Sequence, residues 1–378
     1  MLKNNKINLW ELQNKHVYIK IRKQIVKELF DNFSKSALKF KIRDIWHYKT
    51  GLYMIPLDLV IKILKSLPPK EKTRLKRLIG SNIKCLRFGY GKGKAIKNPK
   101  LPVMFSPCLA RICGHLIGDG GIRLSKGDYA VHYTNKNSFL IKQFKEDILN
   151  TFGSIESYYY KYKIEDDNIG LKVIRFPSII GIILMEFFGP MIKNKKKVPV
   201  IILKSNKKSK RLFLQALFDD EGCVSSNRVT IEMSNKKVIK SIKSMLESDF
   251  FIAPSNMSER SHGKWQNSYR LEIHGKDDIT SFSKKIGFSH PKKKEKLNEY
   301  IKKYKNKKIE SKRGKLKSLI IDTFKNDDNL SVYQIAERLN TQPKRSFRKH
   351  LYTLERNNIL KVRKNKYKVK IYSLNIKK

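Results

Sequence analysis

Two acidic motifs at matching places carry the chemistry open to this sequence. Leu109-Ala-Arg-Ile-Cys-Gly-His-Leu-Ile-Gly-Asp-Gly-Gly-Ile122 and Arg211-Leu-Phe-Leu-Gln-Ala-Leu-Phe-Asp-Asp-Glu-Gly-Cys-Val224 superimpose at a spacing of 102 residues. Each is an apolar stretch of helical pattern ending in an acid followed by glycine, Asp119-Gly120 and Glu221-Gly222. Ala110, Gly114 and Gly118 recur every fourth residue along one side of the first, and Ala216 repeats the middle position in the second. Small residues at that spacing let two helix backbones approach closely. Packed about a pseudo-twofold axis, the two helices would bring Asp119 and Glu221 together at their C-terminal ends. Two carboxylates there repel each other, and the helix dipoles make it worse. Bound divalent cations are the natural compensation. Either acid alone would read as a solvated helix end; the repetition argues for a pair.

The motifs sit in a larger duplication. Val131-His-Tyr-Thr-Asn-Lys136 is answered by Ile231-Glu-Met-Ser-Asn-Lys236, and each precedes an amphipathic helix, Phe139 to Leu149 and Val238 to Leu246. Phe187-Phe-Gly189 is answered by Ile286-Gly-Phe288. The strands alternate: Val229, Ile231 and Met233 share one face, Arg228, Thr230 and Glu232 the other. Tyr129, Val131 and Tyr133 likewise oppose Ala130, His132 and Thr134. One face is expected under helices; the polar one is a candidate DNA-reading surface.

Both segments resemble the LAGLIDADG motif of homing endonucleases, and two copies in one chain resemble the single-chain members of that family. The resemblance spans roughly 105–300 and implies an α+β fold, with two pseudo-symmetric αββαββα repeats forming a saddle. It also implies Mg²⁺-dependent double-strand DNA cleavage, with Mn²⁺ as a substitute metal. The metal-binding acids fall on Asp119 and Glu221, and Gly118 and Asp220, just before them, complete the implied metal set. Lys136 and Lys236, at matching strand ends, are the expected catalytic cations, because phosphodiester hydrolysis develops negative charge. Motif two departs by carrying Asp219-Asp220-Glu221. Asp219 is expected to support the helix end, and Asp220, in the small-residue position, to loosen the helix contact. His115 is expected to pack rather than react.

The composition agrees with a nucleic-acid partner: 83 Lys+Arg against 33 Asp+Glu give a net charge of +50. That surplus calls for a polyanion. No apolar run reaches the roughly eighteen residues of a membrane span, and the four cysteines match no common zinc spacing. The expectation is an intracellular, cytoplasmic protein without membrane contact. It would bind double-stranded DNA as a monomer, with intron RNA as the alternative partner. The DNA contacts expected in the repeats are Arg123, His132, Thr134, Lys172 and Arg175 in the first, and Arg228, Thr230, Glu232, Arg260 and Arg270 in the second.

Basic, Gly- or Pro-bounded stretches suggest four domains: 1–100, 105–200, 205–300 and 312–378. The first reads as mainly helical, with Ala37 to Lys49 and Ile55 to Leu64 resembling the end of a repressor-type helix-turn-helix. The last reads as a winged helix whose third helix presents Lys344, Arg345, Arg348 and Lys349 to DNA. A site-specific, intron-encoded endonuclease is the leading reading. The alternatives are a non-catalytic DNA-binding regulator with a LAGLIDADG-like domain and an intron RNA-splicing maturase. An intein is disfavoured by Met1 and Lys378 at the two ends.

Overall fold

A computed structural model describes residues 5–13, 15–31, 42–89, 94–124, 128–155, 158–162, 170–191, 196–225, 228–262, 265–306, 312–324, 329–340, 343, 345–364 and 369–375. The chain forms two compact units, 1–301 and 302–378. Each has its own apolar core.

The first hundred residues supply β1 (Lys6–Ile7), β2 (Val17–Ile21), α1 (Lys23–Asp31), α2 (Ile42–Thr50), β3 (Ile55–Pro56), α3 (Leu57–Ser66), α4 (Pro69–Gly80), β4 (Ile83–Phe88), β5 (Ala95–Lys97) and β6 (Val103–Met104). Helices dominate, but an antiparallel sheet ordered β3-β2-β4-β5-β9 joins them, a feature the sequence reading lacked. Its last strand, β9 (Ser154–Ile155), belongs to the first repeat. Between α2 and α3 the chain does not turn directly from helix to helix. Ile55–Pro56 is extended and pairs with Tyr18 and Ile19, because the apolar face of α3, Leu57 to Leu64, is buried in the common core. Residues 37–41 of the expected helix-turn-helix lie outside the described residues.

The first repeat runs α5 (Pro107–Ile117), β7 (Gly120–Ile122), β8 (Val131–Asn135), α6 (Ser138–Phe152), β9, β10 (Tyr158–Tyr162), β11 (Leu171–Phe176) and α7 (Ser178–Phe188). A short α8 (Val200–Leu203) leads to the second: α9 (Lys207–Glu221), β12 (Gly222–Ser225), β13 (Arg228–Met233), α10 (Lys236–Ser248), β14 (Ser258–His262), β15 (Trp265–His274) and α11 (Lys276–Lys285). Apart from the added β9, each repeat is αββαββα, as expected. Their sheets, β10-β11-β8-β7 and β12-β13-β15-β14, have the same antiparallel order. Side-chain caps start the helices: Ser106 accepts from Leu109 N, Asn206 from Ser209 N and Asn235 from Lys237 N, which satisfies donors that a helix cannot pair internally. α12 (Pro291–Asn306) follows.

The C-terminal unit runs α13 (Lys312–Asp322), β16 (Leu330–Ser331), α14 (Val332–Arg338), α15 (Arg345–Arg356), β17 (Leu360–Lys364) and β18 (Lys370–Leu374), with sheet order β16-β18-β17. A capping box at Ser331 and Gln334 opens α14. Ile320, Ile335, Phe347, Leu351 and Leu360 fill its core. Among the described residues of the chain, no helix is long and apolar enough to cross a membrane.

Candidate active site

α5 and α9 pack side by side at backbone distance. A methyl group on Gly114 would sit 2.5 Å from the Phe213 carbonyl oxygen and 2.7 Å from Ala216 Cβ. Ala110 and Ala216 are fully buried in the same seam. Glycine is therefore required at 114 for steric reasons alone. The consequence lies one turn further on, where both helices end.

Asp119 follows Gly118, the residue that closes α5, and Glu221 is the last residue of α9. Burial, then the Asp119 charge, then Asp220, push Glu221 up to about 7. Burial and Asp220 push Asp119 up to about 6. The Asp119 side chain reaches the open face and is exposed. Asn135 Nδ2 donates to Asp119 Oδ2 at 3.0 Å. That bond reflects a difference between the repeats. Asn235 caps α10 itself, whereas in the first repeat Asn137 caps α6 and Asn135 is left to reach the acid.

The cations that face these acids are Lys196 and Lys293. Lys196 Nζ donates to the carbonyls of Ile117 at 3.2 Å, Gly118 at 3.5 Å and Gly120 at 2.8 Å, at the end of α5. Lys293 Nζ does the same at the end of α9, to Phe218 at 3.3 Å, to Asp219 and to Asp220 at 3.4 Å. A cation at a helix C-terminus meets the negative end of the dipole. Burial lowers the pKa of both lysines, and the neighbouring acids oppose that. Both lower Glu221, and Lys293 lowers Asp119. Lys136 is exposed. Lys236 is exposed as well and turns outward to Glu259, at 3.8 Å, and to the Tyr269 ring. The sequence reading had matched lysines by their place beside a strand. The signal it passed over was a half-buried lysine in each Lys-rich stretch after the last repeat helix, within 193–197 and 292–294.

The extra acids of the second motif take structural places. Asp219 is buried and accepts from the backbone N–H groups of Ser289 and His290, both at 2.9 Å, just ahead of α12. Burial raises its pKa to about 6, against those hydrogen bonds. Asp220 does not loosen the seam as expected. Its side chain is sealed from solvent and lies on Gly118, where a methyl group would stand 2.6 Å from Oδ2. It is held by His115 Nδ1 at 3.0 Å and by the Tyr133 hydroxyl, which donates to Oδ1 at 2.7 Å. Burial alone would lower His115, but the Asp220 carboxylate outweighs it and raises the imidazole. Burial and the same carboxylate hold the Tyr133 phenol far above its ordinary range. His115 packs against Tyr133 and Phe144, in keeping with a packed residue.

Among the described residues no group of three or more His, Cys, Asp or Glu side chains is placed to hold a metal ion. Two carboxylates suit a magnesium-type ion that takes its remaining ligands from water and a substrate phosphate. Of the other two expected ligands, the Gly118 carbonyl accepts from Lys196 at 3.5 Å and the Asp220 carbonyl from Lys293 at 3.4 Å.

Strand register sorts the expected DNA contacts. In the first sheet Arg175 stands opposite His132, and Gly121 opposite His132 on the other side. Arg123, His132, Thr134 and Arg175 therefore share the polar face. Lys172 falls on the opposite face, because side chains alternate with period two; it reaches back to Ser138 on α6. In the second sheet Arg228, Thr230, Glu232, Arg260 and Arg270 share one face. Carboxylates interleave there: Arg228 pairs with Glu272 at 3.0 Å, Arg270 with Glu272 at 3.1 Å and Arg260 with Glu232 at 3.8 Å. Thr230 is buried among them. In the first sheet burial lowers His132, and the positive Lys196, Arg175 and Arg123 add to it. On α15, Arg348 and Lys349 are exposed, but Arg348 Nε is tied to the Pro343 carbonyl at 3.1 Å. Lys344 and the side chain of Arg345 lie outside the described residues.

Comparison with known proteins agrees with this geometry in the second repeat. Residues 208–287 match the family model described as LAGLIDADG-like domain. A glutamine–fructose-6-phosphate aminotransferase (isomerizing) of Methanocaldococcus jannaschii is 24% identical over 302 residues, 74% of this chain and 26% of that one. An uncharacterised protein of the same organism is 30% identical over 99 residues, 24% of this chain and 36% of its own length. The chain thus spans about a quarter to a third of these curated relatives. Among solved structures, I-DmoI in complex with DNA and Mn overlaps 49% of this chain and 98% of its own (22% identity, TM-score 0.37). The homing endonuclease I-WcaI bound to its DNA recognition sequence overlaps 51% and 86% (17%, 0.37), and the N-terminal LAGLIDADG domain of DUF199/WhiA 48% and 82% (14%, 0.33).

Proposed function

We propose that this protein is a site-specific, divalent-metal-dependent DNA endonuclease that cuts both strands at one active site centred on Asp119 and Glu221. The observation that carries the reading is the backbone-distance packing of α5 on α9 at Gly114, which brings together the helix ends bearing Asp119 and Glu221, where the Asp119 charge helps to push Glu221 up. A fold gains nothing from placing two acids against each other at two negative helix ends. A bound cation reverses that balance.

Asp119 and Glu221 would hold Mg²⁺, with Mn²⁺ as a substitute, one acid serving each strand. The metal supplies Lewis-acid polarisation of the phosphate and a water of lowered pKa. Asn135 orients the Asp119 carboxylate. Lys196 and Lys293 oppose the upward push on Glu221, Lys293 does the same for Asp119, and both would present positive charge where the phosphorane-like transition state is negative. The polar faces of the two sheets read the major groove, and the +50 charge supplies the sequence-independent part of the affinity. The C-terminal unit, with its helix–strand–helix–helix–strand–strand order, is read as a winged helix that lengthens the DNA contact.

The test is cleavage of DNA spanning the gene's insertion site, with the intervening sequence removed, in Mg²⁺. Wild type linearises it. Asp119→Asn/Glu221→Gln does not, yet binds with nearly unchanged affinity, because affinity comes from the basic surface. Single variants are scored for nicking as well. A double variant that still linearises the target overturns the assignment. Wild type that binds tightly and never cuts points to the non-catalytic regulator.

A further inference from the structure

The C-terminal unit carries an open groove that the cleavage chemistry does not use. It lies between the start of α14, one face of α15 and the start of β18, with a volume of about 440 Å³. Two tyrosines stand on it: Tyr333 is 60% exposed and Tyr352 49%. Rings of that size add little to the core of their own unit when left in water. Tyr333 is nevertheless held in place. Arg348, one turn before Tyr352, sets its guanidinium 5.7 Å from the centroid of the Tyr333 ring and donates to the Tyr333 hydroxyl at 3.4 Å. Its second tie, to the Pro343 carbonyl, fixes the guanidinium plane. Glu355, on the same face of α15, lies 3.5 Å from Lys370 Nζ. That contact is an ion pair to Oε2, which is buried and accepts no hydrogen bond among the described residues.

We propose that this groove binds one unpaired nucleobase. Exposed aromatic faces beside fixed cations are what a base and its phosphate require: the ring stacks, and the guanidinium and ammonium meet the backbone. Glu355 Oε2, met by the Lys370 ammonium only as an ion pair at 3.5 Å, still lacks a hydrogen-bond donor, and cytosine, adenine and guanine each offer an amino group. Thymine and uracil flank their single ring N–H with two carbonyls, which the carboxylate repels. A base still in a duplex has its amino group paired and its faces stacked, so it cannot enter without being extruded. The strong positive charge of the chain favours a polyanion over a peptide as occupant. The site is independent of the active-site assignment, since none of its residues belongs to the repeats.

The experiment measures binding of the full chain to fluorescent oligo-dC, oligo-dT, oligo-rC and a mixed-sequence duplex. Wild type binds dC more tightly than dT, and the tighter of dC and rC identifies the polymer that supplies the base. Tyr333→Ala/Tyr352→Ala weakens dC binding by about tenfold or more and leaves the duplex unchanged. Tyr333→Phe/Tyr352→Phe keeps dC affinity, because the ring faces remain. Glu355→Gln removes the preference for dC over dT. Three results overturn the proposal: equal wild-type affinity for dC and dT, an alanine-pair loss as large for duplex as for dC, or no loss for any nucleic acid.

Discussion

His115 Nδ1 lies 3.0 Å from Asp220 Oδ2 across the seam between the two repeats, and both side chains are sealed from solvent. Gly118, the counterpart of Asp220 in the first motif, makes the room that this acid fills. One side chain of the second repeat is thus bound by two of the first, since Tyr133 donates to the same carboxylate. The pseudo-twofold packing is locked in one asymmetric way.

Asp220→Ala is expected to cost about 3 to 5 kcal/mol of stability, the range for breaking one partner of a buried pair. His115→Ala removes part of the same interaction, so the double variant loses less than the two singles together, by roughly 1 to 3 kcal/mol. Urea unfolding of the four proteins gives the coupling. Strict additivity would mean that the pair does not hold the seam.

The active-site acids fix the sign of the pH dependence. Their pKa values, about 6 for Asp119 and about 7 for Glu221, are raised above those of the unfolded chain, so the folded state holds their protons more tightly. Their contribution to stability therefore declines as pH rises through the acidic range towards 7. Cation binding needs them ionised and follows the opposite course, falling as pH drops through 7 and then 6. Melting temperatures at pH 5 and pH 8, with and without Mg²⁺, test both halves. Mg²⁺ raises the melting temperature at pH 8 and has little effect at pH 5; Asp119→Asn/Glu221→Gln abolishes the response.

Lys196→Met and Lys293→Met are each expected to slow cleavage by about 100-fold, the scale for losing one electrostatic contact to a developing charge. Each also removes a charge that lowers Glu221, so the acid limb of the pH–rate profile moves upward. Lys136→Ala and Lys236→Ala leave that limb in place. A profile that shifts with Lys136 or Lys236 instead would restore the strand-end lysines to the active site.

A single chain supplies both halves of the site, so cleavage is expected from a monomer on a target whose half-sites differ. The polar faces already differ: His132, Thr134 and Arg175 in one sheet, and an Arg228–Glu272–Arg270 network in the other. Unlike donors and acceptors select unlike bases. Light scattering of the complex, together with the mapped target, checks this. Two chains on a perfect palindrome would refute it, because that symmetry needs identical surfaces.

The sequence by itself determined the duplication, the two apolar helices, their small-residue stripe and the acid at each end. All of these are local patterns: period 3.6, period two and a glycine after an acid. The alternation in Arg228 to Ser234 was enough to separate a core face from a polar face. Lys172 went astray against the strand's own period: three residues from Arg175 on one strand, it falls on the opposite face whatever the register. Lys196 and Lys293 were hidden among many lysines, since nothing local distinguishes a solvated lysine from one folded back under a helix end. Asp220 was misjudged for a related reason. As a lone residue it is an acid in a place for glycine; only the fold brings His115 and Tyr133, more than eighty residues away, to complete its hydrogen bonds. Side-chain burial and charge pairing depend on contacts between distant segments, and those the tertiary structure alone decided.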